Sequence, residues 1–206
     1  MKSCRENEKD ALAAAMAVLQ AGGVVALPTE TVYGLVALWR HQDARQEIYR
    51  LKRRPADKRL QMLASSVAMA AAAGLCPDGR LECLGRRFWP GALTVVAPSR
   101  DGDGIGLRIP SHPFLAELLV RLGEPLAATS ANLSGQPAAL TAAAAVAGLD
   151  GAPQLLVDGG EVSVTAGSAS TVVSLLGPTV AVLRAGPISL AAIQSALAAD
   201  GGVSGC

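Results

Sequence analysis

Histidine is nearly absent: His41 and His112 are the only two in 206 residues. A His-rich metal centre or a His-centred catalytic triad has little material to work with. The four cysteines, Cys4, Cys76, Cys83 and Cys206, show no C-x-x-C spacing. That suits free thiols in a reducing compartment better than a disulfide framework or a zinc site. Aromatic residues make up 3% of the chain, which leaves few platforms for stacking nucleobases. The sequence has neither G-x-x-x-x-G-K-[ST] nor G-x-G-x-x-G, so neither a P-loop nor a Rossmann dinucleotide site is supported. Gly102, Gly104 and Gly106 alternate without a helix to follow and read as a flexible turn, and the Asp101/Asp103 pair lacks the rest of a calcium loop.

Long hydrophobic runs are also missing. The longest apolar stretch, Ala11 to Leu27, is broken by Gln20 and Gly22-Gly23, short of the roughly 20 residues that a membrane span needs. The first ten residues mix Glu6, Glu8 and Asp10 with Lys2, Arg5 and Lys9, a poor start for a signal peptide. A cytoplasmic location without membrane association is the expectation.

What is present is a chain 50% hydrophobic and 17% charged, with much of the apolar content in Ala and Gly. Its length suits one domain over residues 1–206, with a core near 10–197 and a short tail over 198–206. The net charge of +1 argues against bulk nucleic-acid binding, but seven of the 18 basic residues (Arg45, Arg50, Lys52, Arg53, Arg54, Lys58, Arg59) lie within fifteen positions. Such a cluster suits an anion.

The patterning predicts helices over Glu8–Leu19, from Asp43 as N-cap to Lys52, from Ser65-Ser66 onward, and over Leu81–Phe88, His112–Leu122 and Pro187–Leu197. A further short helix is capped by Thr141. Strands are predicted over Val24–Leu27, Gln61–Ala64, Leu93–Ala97, Ile105–Ile109, Pro125–Ala128, Leu155–Asp158, Ser170–Leu175 and Val180–Leu183. Helices and strands alternate, with some strands adjacent, so the fold class is α/β with a mixed sheet.

Polar residues gather where strands end. Pro28-Thr29-Glu30-Thr31-Val32-Tyr33-Gly34 leaves a buried strand at its carboxyl end, where open α/β sheets bind ligands. Its hydroxyls and carboxylate suit the amine and hydroxyl of a small substrate, and equally a capped turn. Lys52 and Arg54, two apart where helix gives way to extended chain, can face one side and grasp a polyphosphate; they can equally be a solvated basic helix end. Arg108 in an apolar strand is either a carboxylate clamp in a cavity or an edge residue pointing to water. Thr129-Ser130-Ala131-Asn132-Leu133-Ser134-Gly135 is a loop of small polar groups, suited to phosphate or carboxylate and also to an Asx turn. Ser170-Thr171 opens one strand and Arg184 closes another. Without an evident nucleophile–base pair, this set fits catalysis by positioning and charge stabilisation.

Seven segments in order, Pro28–Gly34, Lys52–Pro55, Trp89–Thr94, Arg108–Pro113, Ser130–Gly135, Ser170–Val172 and Arg184–Gly186, resemble the YrdC/TsaC-type family of L-threonylcarbamoyladenylate synthases. The resemblance implies a twisted mixed sheet flanked by helices around a large, concave, positively lined cavity. It implies condensation of L-threonine, bicarbonate and ATP to threonylcarbamoyl-AMP and pyrophosphate, with Mg²⁺ accompanying ATP. The product would serve modification of the tRNA adenosine beside the anticodon, so tRNA or a tRNA-modifying transferase is an expected partner. Carried over by position, Thr31, Arg108, Ser130 and Ser170 would hold threonine. Lys52 and Arg54 would be catalytic on the phosphates, with Asn132 and Arg184 on the nucleotide, and no protein side chain is marked as a metal ligand. Val36, Lys58-Arg59 and Leu63 depart from the family pattern. A non-catalytic RNA-binding module of the same fold is the alternative. Carbamoyltransferases that contain the domain are multidomain, and nothing in this chain resembles their other parts.

Overall fold

The structure, a computed structural model, describes residues 1–163 and 169–201. In chain order the elements are β1 (Lys2–Arg5), α1 (Ala11–Gln20), β2 (Val25–Leu27), β3 (Gly34–Leu38), α2 (Gln42–Lys52) and β4 (Gln61–Leu63). There follow α3 (Val67–Ala72), α4 (Gly79–Phe88), β5 (Leu93–Ala97), β6 (Ile105–Arg108), α5 (Pro113–Leu122) and β7 (Leu126–Ser130). The remainder is α6 (Ala142–Ala147), β8 (Leu155–Asp158), β9 (Thr171–Ser174), β10 (Ala181–Arg184) and α7 (Leu190–Gly201). All ten strands join one mixed sheet in the order β1-β8-β2-β3-β7-β4-β6-β5-β9-β10.

Local chemistry sets the helix ends. Ser66, Asp78 and Thr141 accept the backbone N–H of Met69, Leu81 and Ala144, capping α3, α4 and α6. Pro113 starts α5, and Gly123 ends it with a left-handed φ of 66°. Helix α2 ends on Arg53, which takes the left-handed conformation (φ 48°) without being glycine, a geometry uncommon for a residue carrying a Cβ.

The parity of each strand sorts its side chains between the two faces of the sheet. One face buries Val25, Leu27, Val36, Leu38, Leu126, Leu155 and Val157 against α1 and α5. The other face is covered twice. Ala26, Leu35, Ala37 and Ala127 pack with α2 and α6; Met62, Val95, Leu107 and Val173 pack with α3, α4 and α7. On the β5, β6 and β9 half, the first face therefore has no helix among the described residues, and a concavity remains.

The predicted mixed-sheet α/β fold is present, with corrections. Strands β1 and β3 are additional. Gly34–Leu38 is buried along its whole length, and such a run lacks the alternation that marks a half-exposed strand. Helix α1 starts at Ala11 rather than Glu8, and α7 at Leu190 rather than Pro187. Asp43 lies in the first turn of α2, whose cap position is His41. Cys206 and the end of the expected tail fall outside the described residues.

Candidate functional site

The uncovered half of the sheet is the floor of a cavity of about 430 Å³. Gln61 of β4, Gly106 and Arg108 of β6, Thr94 and Val96 of β5, and Val172 of β9 all point into it. They share a face because Thr94 pairs with Val172, Val96 with Gly106, and Leu63 with Arg108 across neighbouring strands. Gly106 keeps the floor flat: a Cβ there would lie 3.3 Å from Thr94 Cγ2. Thr29 and Thr31 come down from the loop after β2, Ser130 from the end of β7, and Arg54 and Arg184 from the rim.

Arg108 is not an edge residue. Its strand lies between β4 and β5, and the side chain is 3% exposed. Its Nη1 donates to Thr31 Oγ1 at 3.0 Å and lies 3.6 Å from Glu30 Oε1, while its Nε has no hydrogen-bond partner. Desolvation pulls its pKa down and Glu30 pulls it up. Thr31 Oγ1 is also 3.0 Å from Thr29 Oγ1, which donates to the Val32 carbonyl. The carboxylate oxygens of Glu30 have no hydrogen-bond partner.

Arg184 donates through Nε and Nη2 to the Ser170 carbonyl and through Nη2 to Ser170 Oγ, and that hydroxyl lies 2.8 Å from Thr94 Oγ1. Gly186 lets the chain pass close by, since a side chain there would collide with the Thr171 amide and the Ala169 carbonyl. The Arg184 pKa is lowered by desolvation and then by the fields of Arg108 and Arg54. These guanidiniums stay charged, so three like charges from separate elements face one space, an arrangement that favours an anion between them.

Sequence and structure part at Lys52. The expected shared face of Lys52 and Arg54 fails because Arg53 turns left-handed rather than extended. Lys52 is buried behind the loop that follows β7, its Nζ donating to the carbonyls of Ser130 and Asn132, each at 2.5 Å. Burial and then the Arg54 charge lower its pKa to about 8. Arg54 does line the cavity, and it anchors the following loop by donating to the carbonyls of Lys58 and Arg59. Its pKa is lowered by desolvation. Asn132 does not line the cavity; its Nδ2 donates to the Leu133 and Gln136 carbonyls, shaping the turn.

Most of the basic run serves the scaffold. Arg45 stacks over Trp39, Arg50 pairs with Glu47, and Arg53 pairs with Asp150. Arg59 pairs with Asp103 at 2.6 Å, joining the loop after α2 to the β5–β6 turn at the cavity mouth. Of the predicted set, the structure brings together Thr31, Arg54, Arg108, Ser130, Ser170 and Arg184. Sequence reasoning gave no role to Gln61 and Thr94, whose side chains are joined at 3.0 Å. Two-residue alternation along Gln61–Leu63 and Leu93–Ala97 carries that signal. Among the described residues, no three His, Cys, Asp or Glu side chains converge to hold a metal, and no helix is long and apolar enough to cross a membrane.

Comparison with known proteins adds to this geometry. The Sua5/YciO/YrdC family model, described as "Telomere recombination", matches residues 17–186. A threonylcarbamoyl-AMP synthase of Bacillus subtilis is 36% identical over 197 residues, 90% of this chain and 56% of the relative. The chain thus spans little more than half the length of that protein. A threonylcarbamoyl-AMP synthase of Xanthomonas campestris pv. campestris is 38% identical over 161 residues, 72% of this chain and 83% of the relative. The crystal structure of P. abyssi Sua5 complexed with L-threonine superposes with a TM-score of 0.83 at 33% identity, over 95% of this chain and 60% of that one. With the family model matched from α1 to the glycine after β10, the chain belongs to the Sua5/YciO/YrdC family.

Proposed function

We propose that this chain is an L-threonylcarbamoyladenylate synthase, condensing L-threonine, bicarbonate and ATP into threonylcarbamoyl-AMP and pyrophosphate. The observation that carries the reading is the convergence of Arg54, Arg108 and Arg184 on one cavity that also holds the recessed hydroxyls of Thr31, Thr94 and Ser170. Relatives named threonylcarbamoyl-AMP synthase support it.

In this reading the threonine carboxylate lies against Arg108, with Thr31, Ser130 and Ser170 around the amino acid. The neutral amine adds to carbon dioxide released from bicarbonate and gives a carbamate, and the amine proton leaves with the bicarbonate hydroxide as water. A carbamate oxygen then attacks the α-phosphorus of ATP; the new P–O bond forms as the bond to the β-phosphate breaks, and the electron pair leaves with pyrophosphate. Arg54 and Arg184 offset the charge that builds on the phosphates, and the recessed floor aligns the carbamate. Mg²⁺ would be held by the ATP phosphates, where it would offset their charge. The product would pass to a tRNA-modifying transferase or to tRNA, and we place the reaction in the cytoplasm.

The test is pyrophosphate release from ATP by the purified chain, with bicarbonate and Mg²⁺, with and without L-threonine. Threonine-dependent release is expected. Absence of release, together with salt-sensitive tRNA binding, would replace the synthase with an RNA-binding module.

A further inference from the structure

We infer that Lys52 is a positioning residue: it holds the Ser130–Ser134 loop against the cavity and does not ligand the polyphosphate. The inference rests on the synthase reading for its kinetic consequence, but its structural basis is independent of that reading. The ammonium sits at the end of α2 and reaches two carbonyls, those of Ser130 and Asn132, that flank one residue. The backbone closes the same link from the other side, where the Ser134 N–H donates to the Lys52 carbonyl at 3.0 Å. Both ends of this lysine are thus bonded to one five-residue loop. The side chain is 1% exposed and absent from the cavity wall, whereas Ser130 lines it.

The loop needs such a clamp. Its carbonyl at 130 accepts the Asn132 N–H at 3.1 Å as well as the ammonium, while the carbonyl at 132 accepts the ammonium; a buried carbonyl that loses a donor is costly. An ammonium has three N–H donors and no acceptor, so one side chain can satisfy two carbonyls that a neutral hydroxyl could not. The lowered Lys52 pKa is the expected mark of an ammonium held without a carboxylate partner. Arg54, by contrast, keeps a place on the cavity wall while it anchors its own loop. Two neighbouring cations therefore divide the work, one shaping the threonine end and the other meeting phosphate.

The experiment compares wild type, Lys52→Met and Arg54→Ala by calorimetric titration with inorganic tripolyphosphate, by the threonine KM of pyrophosphate release, and by amide exchange in residues 130–136. In Lys52→Met, tripolyphosphate affinity should stay within about threefold of wild type. The threonine KM should rise at least about tenfold, and the Ser134 and Gln136 amides should exchange faster. In Arg54→Ala, tripolyphosphate affinity should fall and exchange in the loop should stay unchanged. If Lys52→Met weakens tripolyphosphate as much as Arg54→Ala does, or leaves loop exchange untouched, the positioning role is overturned. If wild type releases no pyrophosphate, the synthase reading fails; faster loop exchange in Lys52→Met still supports the clamp, and unchanged exchange overturns it. Should Lys52→Met not fold, Lys52→Gln, which keeps two N–H donors on a shorter arm, is read by the same measurements.

Discussion

Arg108 on β6 and Thr31 in the loop after β2 are joined by a buried hydrogen bond of 3.0 Å between positions 77 residues apart. The bond ties two separate segments of chain into one corner of the cavity, with the carboxylate of Glu30 beside it. Removing one charge of a buried pair leaves the other unpaired and costs about 3 kcal/mol. Arg108→Ala should lose stability of that order in urea unfolding, and Arg108→Ala with Glu30→Gln should recover a large part of it while threonine-dependent turnover stays lost. Full stability in the single variant would show that Glu30 does not depend on Arg108.

Ser170 links Thr94 on one side to Arg184 on the other. Its hydroxyl is a small part of the core, so Ser170→Ala should cost about 1 kcal/mol of stability. The larger effect should fall on substrate: the threonine KM should rise about tenfold as Arg184 and Thr94 lose their shared partner. Steady-state kinetics with threonine varied at saturating ATP reads this directly.

Arg54→Ala removes a cation from the cavity and two donors from the loop that follows α2. The expected outcome is an ATP KM at least about tenfold higher, with a thermal midpoint lowered by a few degrees. Arg54→Lys should restore part of the charge but not the two loop bonds, because an ammonium lacks the planar fork.

Lys52 gives the chain a specific pH signature. Its pKa is lowered from 10.5 to about 8 on folding, so between those values the unfolded chain binds more protons than the folded one. Stability contributed by this group therefore rises as pH climbs from about 8 to 10.5, by about 3 kcal/mol in all. Below pH 8 the cost of burying the charged form is carried in full. The stability difference between wild type and Lys52→Met, measured by urea unfolding across pH 7–11, should shift toward wild type over that window. A flat difference would mean that Lys52 keeps its ordinary affinity for protons.

The strands that build the floor, β4, β5 and β6, were legible because each is a short apolar run flanked by turn residues. The cavity face was also within reach of parity, since Thr94 and Gly106 interrupt apolar runs at alternate positions. Two features escaped the sequence for non-local reasons. Gly34–Leu38 becomes a central strand only by pairing with β2 and β7, and no local polar alternation marks it. Lys52 looks like a helix-end cation until the carbonyls of Ser130 and Asn132, about eighty positions on, are folded against it. Arg53 completed that error: a left-handed residue other than glycine reverses the side on which the next arginine emerges, and nothing in Lys-Arg-Arg-Pro announces it.

The half-covered sheet has a consequence for how this chain tolerates change. Along β5, Leu93, Val95 and Ala97 face the helices, while Thr94 and Val96 face the cavity; along β6, Leu107 faces the helices, while Gly106 and Arg108 face the cavity. Foldedness and chemistry are therefore written on alternate letters of the same words. A saturation scan of these two strands should show a two-residue beat, with loss of soluble protein at one set of positions and loss of turnover in well-folded protein at the other. A lineage can thus redraw the ligand surface here one letter at a time without rewriting the core beneath it.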